Sequence, residues 1–466
     1  MKKSIAAITV LVFLLGFAAA AFAIEADIPA TTPVVALGST HIQLSGSLRI
    51  RGWYLGHQNG TTTTGNVTIP ANNTDGTYWD TRVRLNLDMS SGPVSGRIGL
   101  ESGNSRSSTW KWGSEGTVDT KPSSTNSTVT FREAWINYSG SGLLGVPAGF
   151  KIGHQPLALG PANIFFDNTK FGDDALVLYA NPTPKTTAMF LTFKAAEGDF
   201  YNNGSDLDGY VGVFDGSFFG GQTLGIDYTY LHLDNGGPTI AAPARNFAAV
   251  LPGGLSFSNL EAFGAGKVSG IGYMAQLDYQ FGNVAHGYQA GGWGVWLGLN
   301  KAISSSKARF AFGYGSGPSD SEEADTSNKQ SQLITFLNPH AQYFTLVYGY
   351  TLEDAGAINA QANGNGGSDD GLANTLLLNA GIDLKPTPKL GASADLYYLH
   401  ANNALSGKSK NIGEEVDLKG TYAITKNLKY FAQAGVLFAG AFYSDNFTGA
   451  VGGSPWTLMH GVQYTF

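Results

Sequence analysis

The chain has 466 residues, 28 basic and 35 acidic side chains, a formal net charge of -7 and no cysteine. Mild acidity argues against nucleic acid as a partner, because that binding needs a basic face. The lack of cysteine excludes disulfides, thiolate metal sites, covalent haem attachment and cysteine nucleophiles.

Residues 1–23 read as a secretory signal. Lys2 and Lys3 form its positive end, an apolar run from Ile5 to Phe17 follows, and Ala21 and Ala23 supply the small residues of a processing site. The run is short for a membrane helix, which needs about 20 apolar residues. Residues 24–40 are expected to form a periplasmic stub, and 41–466 a transmembrane barrel.

From residue 41 onward the pattern has period two, in segments of about ten residues separated by Gly, Asn, Asp or Pro. Expected strands are 41–55, 77–90, 93–103, 128–138, 148–154, 174–180, 186–194, 208–217, 221–233, 269–281, 287–300, 307–314, 342–350, 374–385, 388–399, 412–424, 427–440 and 455–466. In "WDTRVRLNLDM", Trp79, Val83, Leu85, Leu87 and Met89 oppose Asp80, Arg82, Arg84, Asn86 and Asp88. In "IGYMAQLDYQF", Ile271, Tyr273, Leu277, Tyr279 and Phe281 oppose Gln276, Asp278 and Gln280.

An antiparallel sandwich would alternate in the same way. Aromatic residues at segment ends, short connections alternating with long polar ones, and the number of segments favour an all-β transmembrane antiparallel barrel of 16–18 strands, with 18 preferred. In such a barrel, Phe466 lands at the periplasmic interface. It resembles the terminal aromatic by which bacterial assembly machinery recognises outer-membrane barrels. The last segment must pair with the first, since an open edge in lipid leaves backbone groups unmet. The stretch 315–340 is long, yet this segment count puts it on the periplasmic side, so it is either a misplaced outer loop or a periplasmic plug.

An apolar outward face assigns the charged residues to the lumen. Arg49, Arg51, Arg82, Arg84, Arg97 and Lys151 make one basic wall, with Asp80 among them. Asp227, Asp278, Asp383, Asp395, Glu415 and Asp417 make an acidic one. An arginine turned outward would cost about 2–4 kcal/mol at the bilayer midplane, and walls of fixed charge set ionic selectivity. The apolar loop 153–174 can either fold inward and narrow the pore or cap it from outside.

No catalytic site is expected. The eight histidines are scattered singly, and no nucleophile elbow or phosphate loop occurs. "DLDG" at 206–209 and "DD" at 173–174 carry oxygens suited to Ca²⁺, but isolated acidic loops more often simply face water. No metal site and no cofactor are assigned.

"IGEEVDLKGTYAITKNLKYFAQAGVLFAG" (412–440) resembles the C-terminal strand pair of the alginate-export family of outer-membrane barrels. "FREAWINY", "FKIGHQPLALG" and "KPTPKL" are similar to further pieces of that family and of bacterial porins generally. The resemblance covers about a third of the chain. It implies an 18-stranded barrel with a strongly basic lumen that passes anionic material. This chain departs from the pattern in having fewer basic residues and His154 where the family carries arginine.

The expected function is passive diffusion of small hydrophilic, anionic solutes across the outer membrane of a Gram-negative bacterium. The expected partners are lipid, lipopolysaccharide and the solutes, with a homo-oligomer open. Two alternatives are a barrel sheathing a multihaem cytochrome and an export channel for an anionic polysaccharide.

Overall fold

The computed structural model describes residues 34–37, 40–58, 63–64, 67–68, 74–102, 110–111, 129–142, 145–169, 172–196, 206–233, 254–285, 288–319, 329–335, 345–351, 371–404, 406–446 and 453–466. The expected signal segment, most of the 24–40 stub and several loop tips lie outside these residues.

Eighteen antiparallel strands span the barrel. They are β1 (Thr40–Gln58), β2 (Thr74–Ser91), β3 (Val94–Ser102), β4 (Val129–Gly140), β5 (Ala148–Gln155) and β6 (Asp173–Thr183). They continue with β7 (Thr186–Ala196), β8 (Leu207–Phe218), β9 (Gln222–Leu233), β10 (Leu255–Val268), β11 (Ile271–Ala285) and β12 (Trp293–Ile303). The last six are β13 (Ser306–Gly315), β14 (Thr375–Leu384), β15 (Leu390–Ala401), β16 (Asn411–Ala423), β17 (Leu428–Ala439) and β18 (Trp456–Thr465).

Each strand pairs with its sequence neighbour, and β18 returns to β1 in register from Ser47↔Thr465 to Gly56↔Trp456. The ring therefore has no free edge, which in lipid would leave a row of backbone groups without partners. Beyond the named strand, Gly46 N–H donates to the Phe466 carbonyl at 2.9 Å and Phe466 N–H to the Gly46 carbonyl at 3.1 Å. A Cβ at position 46 would stand 2.7 Å from the Phe466 ring. Glycine there leaves room for the ring on the outer face of β1.

The outer face is an apolar band. Leu48, Leu85, Ile98, Ile136, Ile152, Leu178, Phe190, Ile226, Leu277, Phe310 and Leu396 are all exposed, as a lipid-facing surface requires. One end of the barrel has tight turns. At Ser269 and Gly270, φ values of 50° and 81° suit a two-residue hairpin whose twist matches the strands. All the long connections lie at the other end.

Two strand expectations are corrected. Residues 255–268 form a strand, β10, that alternation does not reveal. Its lumen face carries Phe257, Asn259, Glu261 and Phe263, and its outer face is mostly small (Ser258, Ala262, Gly264, Gly266), so the usual contrast between faces is inverted. Within 342–350 there is no strand among the described residues. Leu346–Thr351 is a single π turn with Leu346, Val347 and Tyr348 buried. It reads as apolar because it is packed inside the barrel. Adding one strand and removing one restores the alternation, so the connection from β13 to β14 leaves and rejoins the barrel at the long-loop end. The stretch 315–340 is not a plug from the short-turn end.

Candidate functional site: a cationic wall beside inward-folded segments

The inner faces of β1–β5 carry Arg49, Arg51, Arg82, Arg84, Arg97, Arg132 and Lys151, opposed there by Asp80, Asp88, Glu101 and Glu133. Among the described side chains, three more cations than carboxylates remain. Arg51 makes a buried pair with Asp80 at 2.9 Å, and the Trp53 indole N–H donates to the same carboxylate at 2.6 Å. Arg84 meets Glu101 at 2.5 Å, and Arg97 meets Asp88 at 2.7 Å. Lys151 sits 4.1 Å above the Trp135 ring. Its charge is thus held against a π face and makes no ion pair among the described residues.

Arg82 is the exception. It stands directly opposite Arg49 in the β1–β2 register, a like-charge pairing that costs stability. Its Nε makes no hydrogen bond, and it has no ion pair among the described residues.

A β-bulge adds to this wall. Gly99 faces Glu133, while Leu100 faces Phe131, so Arg132 is the extra residue, and Arg132 and Glu133 both turn inward while Phe131 stays on the outer face. Arg132 reaches Glu133 at 2.9 Å and Glu101 at 3.5 Å.

The opposite wall is filled. Residues 156–169 of the β5–β6 connection fold into the lumen. Leu159, Phe165 and Phe166 pack on Ala175, Leu191, Phe193, Val211, Leu231 and Phe257 of β6–β10. Ala162 and Ile164 join Trp296, Ala311, Leu333, Val347 and Tyr348 in a second core. The inward course is therefore the one observed, and seven of its side chains (Leu159, Ala162, Ile164, Phe165, Phe166, Asp167 and Asn168) are buried.

Of the acids expected to line the pore, Glu415 and Asp417 hold the π turn, and Asp278 reaches the 156–169 segment through Gln276. The Leu346 amide donates to Asp417 at 2.9 Å. The Val347 and Tyr348 amides donate to Glu415 at 2.6 and 2.9 Å. Gln276 Oε1 accepts from the Ala162 amide at 2.7 Å, and its Nε2 donates to Glu261 and Asp278 at 2.9 and 3.0 Å. Asp227, Glu261, Asp278, Glu415 and Asp417 are all no more than 1% exposed. Asp383 and Asp395 pair with Arg309, each at 2.9 Å, and Lys307 adds a contact to Asp383 at 3.3 Å.

Gly435 lets the π turn approach the wall. A Cβ there would lie 2.6 Å from Asp417 Oδ1 and 2.9 Å from Leu346 Cβ. Gly435→Val is therefore expected to push the turn off β16–β17. The check is single-channel conductance, which should rise; an unchanged conductance would show that the turn does not narrow the pore.

All thirteen charged residues singled out from sequence lie on inward-facing strand positions. Arg49, Arg51, Arg82, Arg84, Arg97, Lys151 and Asp80 are brought together on β1–β5, and the six acids are dispersed over β9–β16 beneath or beside the inserted segments. Sequence reasoning missed Arg132 and Glu133, whose adjacent charges in "FREAW" are the only trace of the bulge. It also missed Lys307 and Arg309, which alternate plainly with Phe310, Phe312 and Tyr314. Glu261 went unseen with β10.

No family model matches the chain, and no curated protein matches it. Solved structures do. The outer membrane protein OpdK from Pseudomonas aeruginosa aligns with a TM-score of 0.53 at 10% identity, covering 91% of this chain and 99% of that one. OpdK with vanillate gives 0.53 at 11% identity, with 91% and 98% covered. OccAB2 of Acinetobacter baumannii gives 0.52 at 9% identity, with 91% and 98% covered. At such identities the likeness is one of fold: an 18-stranded barrel of the outer-membrane type. These structures lend no support to the alginate-export resemblance in particular.

Proposed function

We propose that the protein is a passive channel in the outer membrane of a Gram-negative bacterium, admitting small hydrophilic anions along the β1–β5 wall. The short turns then face the periplasm and the long loops the exterior. Arg82 opposite Arg49 carries the reading. Two facing cations cost stability, and barrels keep such a feature where a pore field depends on it. The described segments that fold inward pack mainly on β6–β17 and meet the cationic wall where Arg132 donates to the Thr169 carbonyl, which leaves most of that wall beside the water path.

The test is reversal potential across a planar bilayer under a salt gradient. Anion preference is expected, and a cation-selective or nonconducting barrel would overturn the proposal. A sheathed cytochrome or a polysaccharide would need the volume that the apolar segments fill, so neither alternative is carried forward.

The role of Phe466 in assembly belongs to the same proposal. Phe466→Ala is expected to lower the amount of inserted barrel without lowering export. Heat-modifiable migration of the outer-membrane fraction checks this, and wild-type levels would count against it.

A further inference from the structure

The root of the inward segment contains three buried oxygens with no hydrogen-bond donor. Gln155 closes β5 and Asp173 opens β6, and the two are directly paired on the inner face. Gln155 is 0%, Asn168 5% and Asp173 6% exposed. Gln155 Nε2 donates to the Ala175 and Gly153 carbonyls at 3.0 and 3.3 Å. Asn168 Nδ2 donates to the Gly172 carbonyl at 2.8 Å and to Asp173 Oδ1 at 2.7 Å.

Both amide nitrogens are thus committed, which fixes the amide orientations. Turning either amide over would set its oxygen against carbonyls. What remains unpartnered is Gln155 Oε1, Asn168 Oδ1 and Asp173 Oδ2. The nearby Asp167 differs, since Asn163, the Thr169 amide and the Thr169 hydroxyl fill its oxygens.

We infer that Asp173, Gln155 and Asn168 form a site for a hard divalent cation, with Ca²⁺ as the probe. Ca²⁺ takes carboxylate and amide oxygens together and completes its shell with water. A single water molecule has only two hydrogens for three acceptors, and burying a carboxylate without compensation is costly. The ligand set is one carboxylate and two amides, so it is not a cluster of acids; among the described residues no group of three His, Cys, Asp or Glu side chains could hold a metal. Arg132 Nη2 donates to the neighbouring Thr169 carbonyl at 2.6 Å, while its charge is shared by Glu133 and Glu101. His154 beside the site is engaged with Asp174 at 3.1 Å. A cation here would tie the end of β5 and the start of β6 to Asn168, closing the segment 156–172 at its base.

The experiment is Ca²⁺ titration by calorimetry, with thermal unfolding in Ca²⁺ and in chelator, on the full chain in detergent. The wild type should bind Ca²⁺ saturably and melt at a lower temperature in chelator. Asp173→Asn should fold, because its amide can donate to Gln155 Oε1, but should lose about tenfold or more in affinity. Gln155→Glu adds a ligand charge. It should bind more tightly than wild type and melt earlier than wild type in chelator. Equal melting with and without Ca²⁺, or an Asp173→Asn titration matching wild type, would overturn the site. So would a neutral Asp173 donating to Gln155 Oε1, which predicts no response to Ca²⁺ and stability that falls as pH rises.

Discussion

Replacing Glu415 and Asp417 together by alanine is expected to raise single-channel conductance and lower thermal stability. The two carboxylates accept the amide hydrogens of Leu346, Val347 and Tyr348, all buried. Removing both leaves three buried donors unmet, at about 1–3 kcal/mol each. The apolar packing of Val347 and Tyr348 contributes about 1.5–3 kcal/mol per fully buried side chain. The two terms are of similar size, so the turn should detach part of the time, and the conductance should flicker between two levels. Glu415→Gln with Asp417→Asn keeps an accepting oxygen at each position, so its effect should be much smaller. If the alanine and amide pairs behave alike, the carboxylates do not clasp the turn.

The second large effect concerns selectivity, and the geometry divides the arginines. Arg49→Gln with Arg82→Gln removes two facing cations and relieves their repulsion. Reversal potential should move clearly toward cations with stability unchanged or improved. Arg51→Gln should behave in the opposite way. It strands Asp80, which is 0% exposed, and breaking such a buried pair costs about 3–5 kcal/mol. Its chief result should be poor folding, with little information about the pore. Melting temperature measured beside reversal potential separates the two. A selectivity unmoved by the Arg49 and Arg82 changes would mean that ions pass elsewhere.

Much of this could be read from the sequence because one physical rule dominates. Lipid demands apolar side chains, and the pleat places every second residue there, so strands such as β2 and β11 announce both faces at once. The rule fails where the contrast fails. Strand β10 puts phenylalanines inward and serine and glycine outward. The segment around Val347 is apolar because it is buried within the lumen and not because it meets lipid. The inward direction of Glu415 and Asp417 was legible, but their occupation was not. Nothing in "GEEVDL" says that backbone amides of a segment some seventy residues earlier will cover them. Arg132 stayed hidden because a bulge breaks the count of two on which the whole reading depends.

Closure of the ring has a kinetic side. Strands β1 and β18 meet through residues such as Arg51 and Met459, 408 positions apart, while every other pair of neighbouring strands is adjacent in the chain. Seventeen of the contacts join strands that follow one another in the chain, and the eighteenth closes the longest loop and carries the largest single closure entropy. Until it forms, both β1 and β18 expose unpaired edges that invite pairing with other chains. The seam between them should therefore be the slowest contact to form and the point at which misassembly begins.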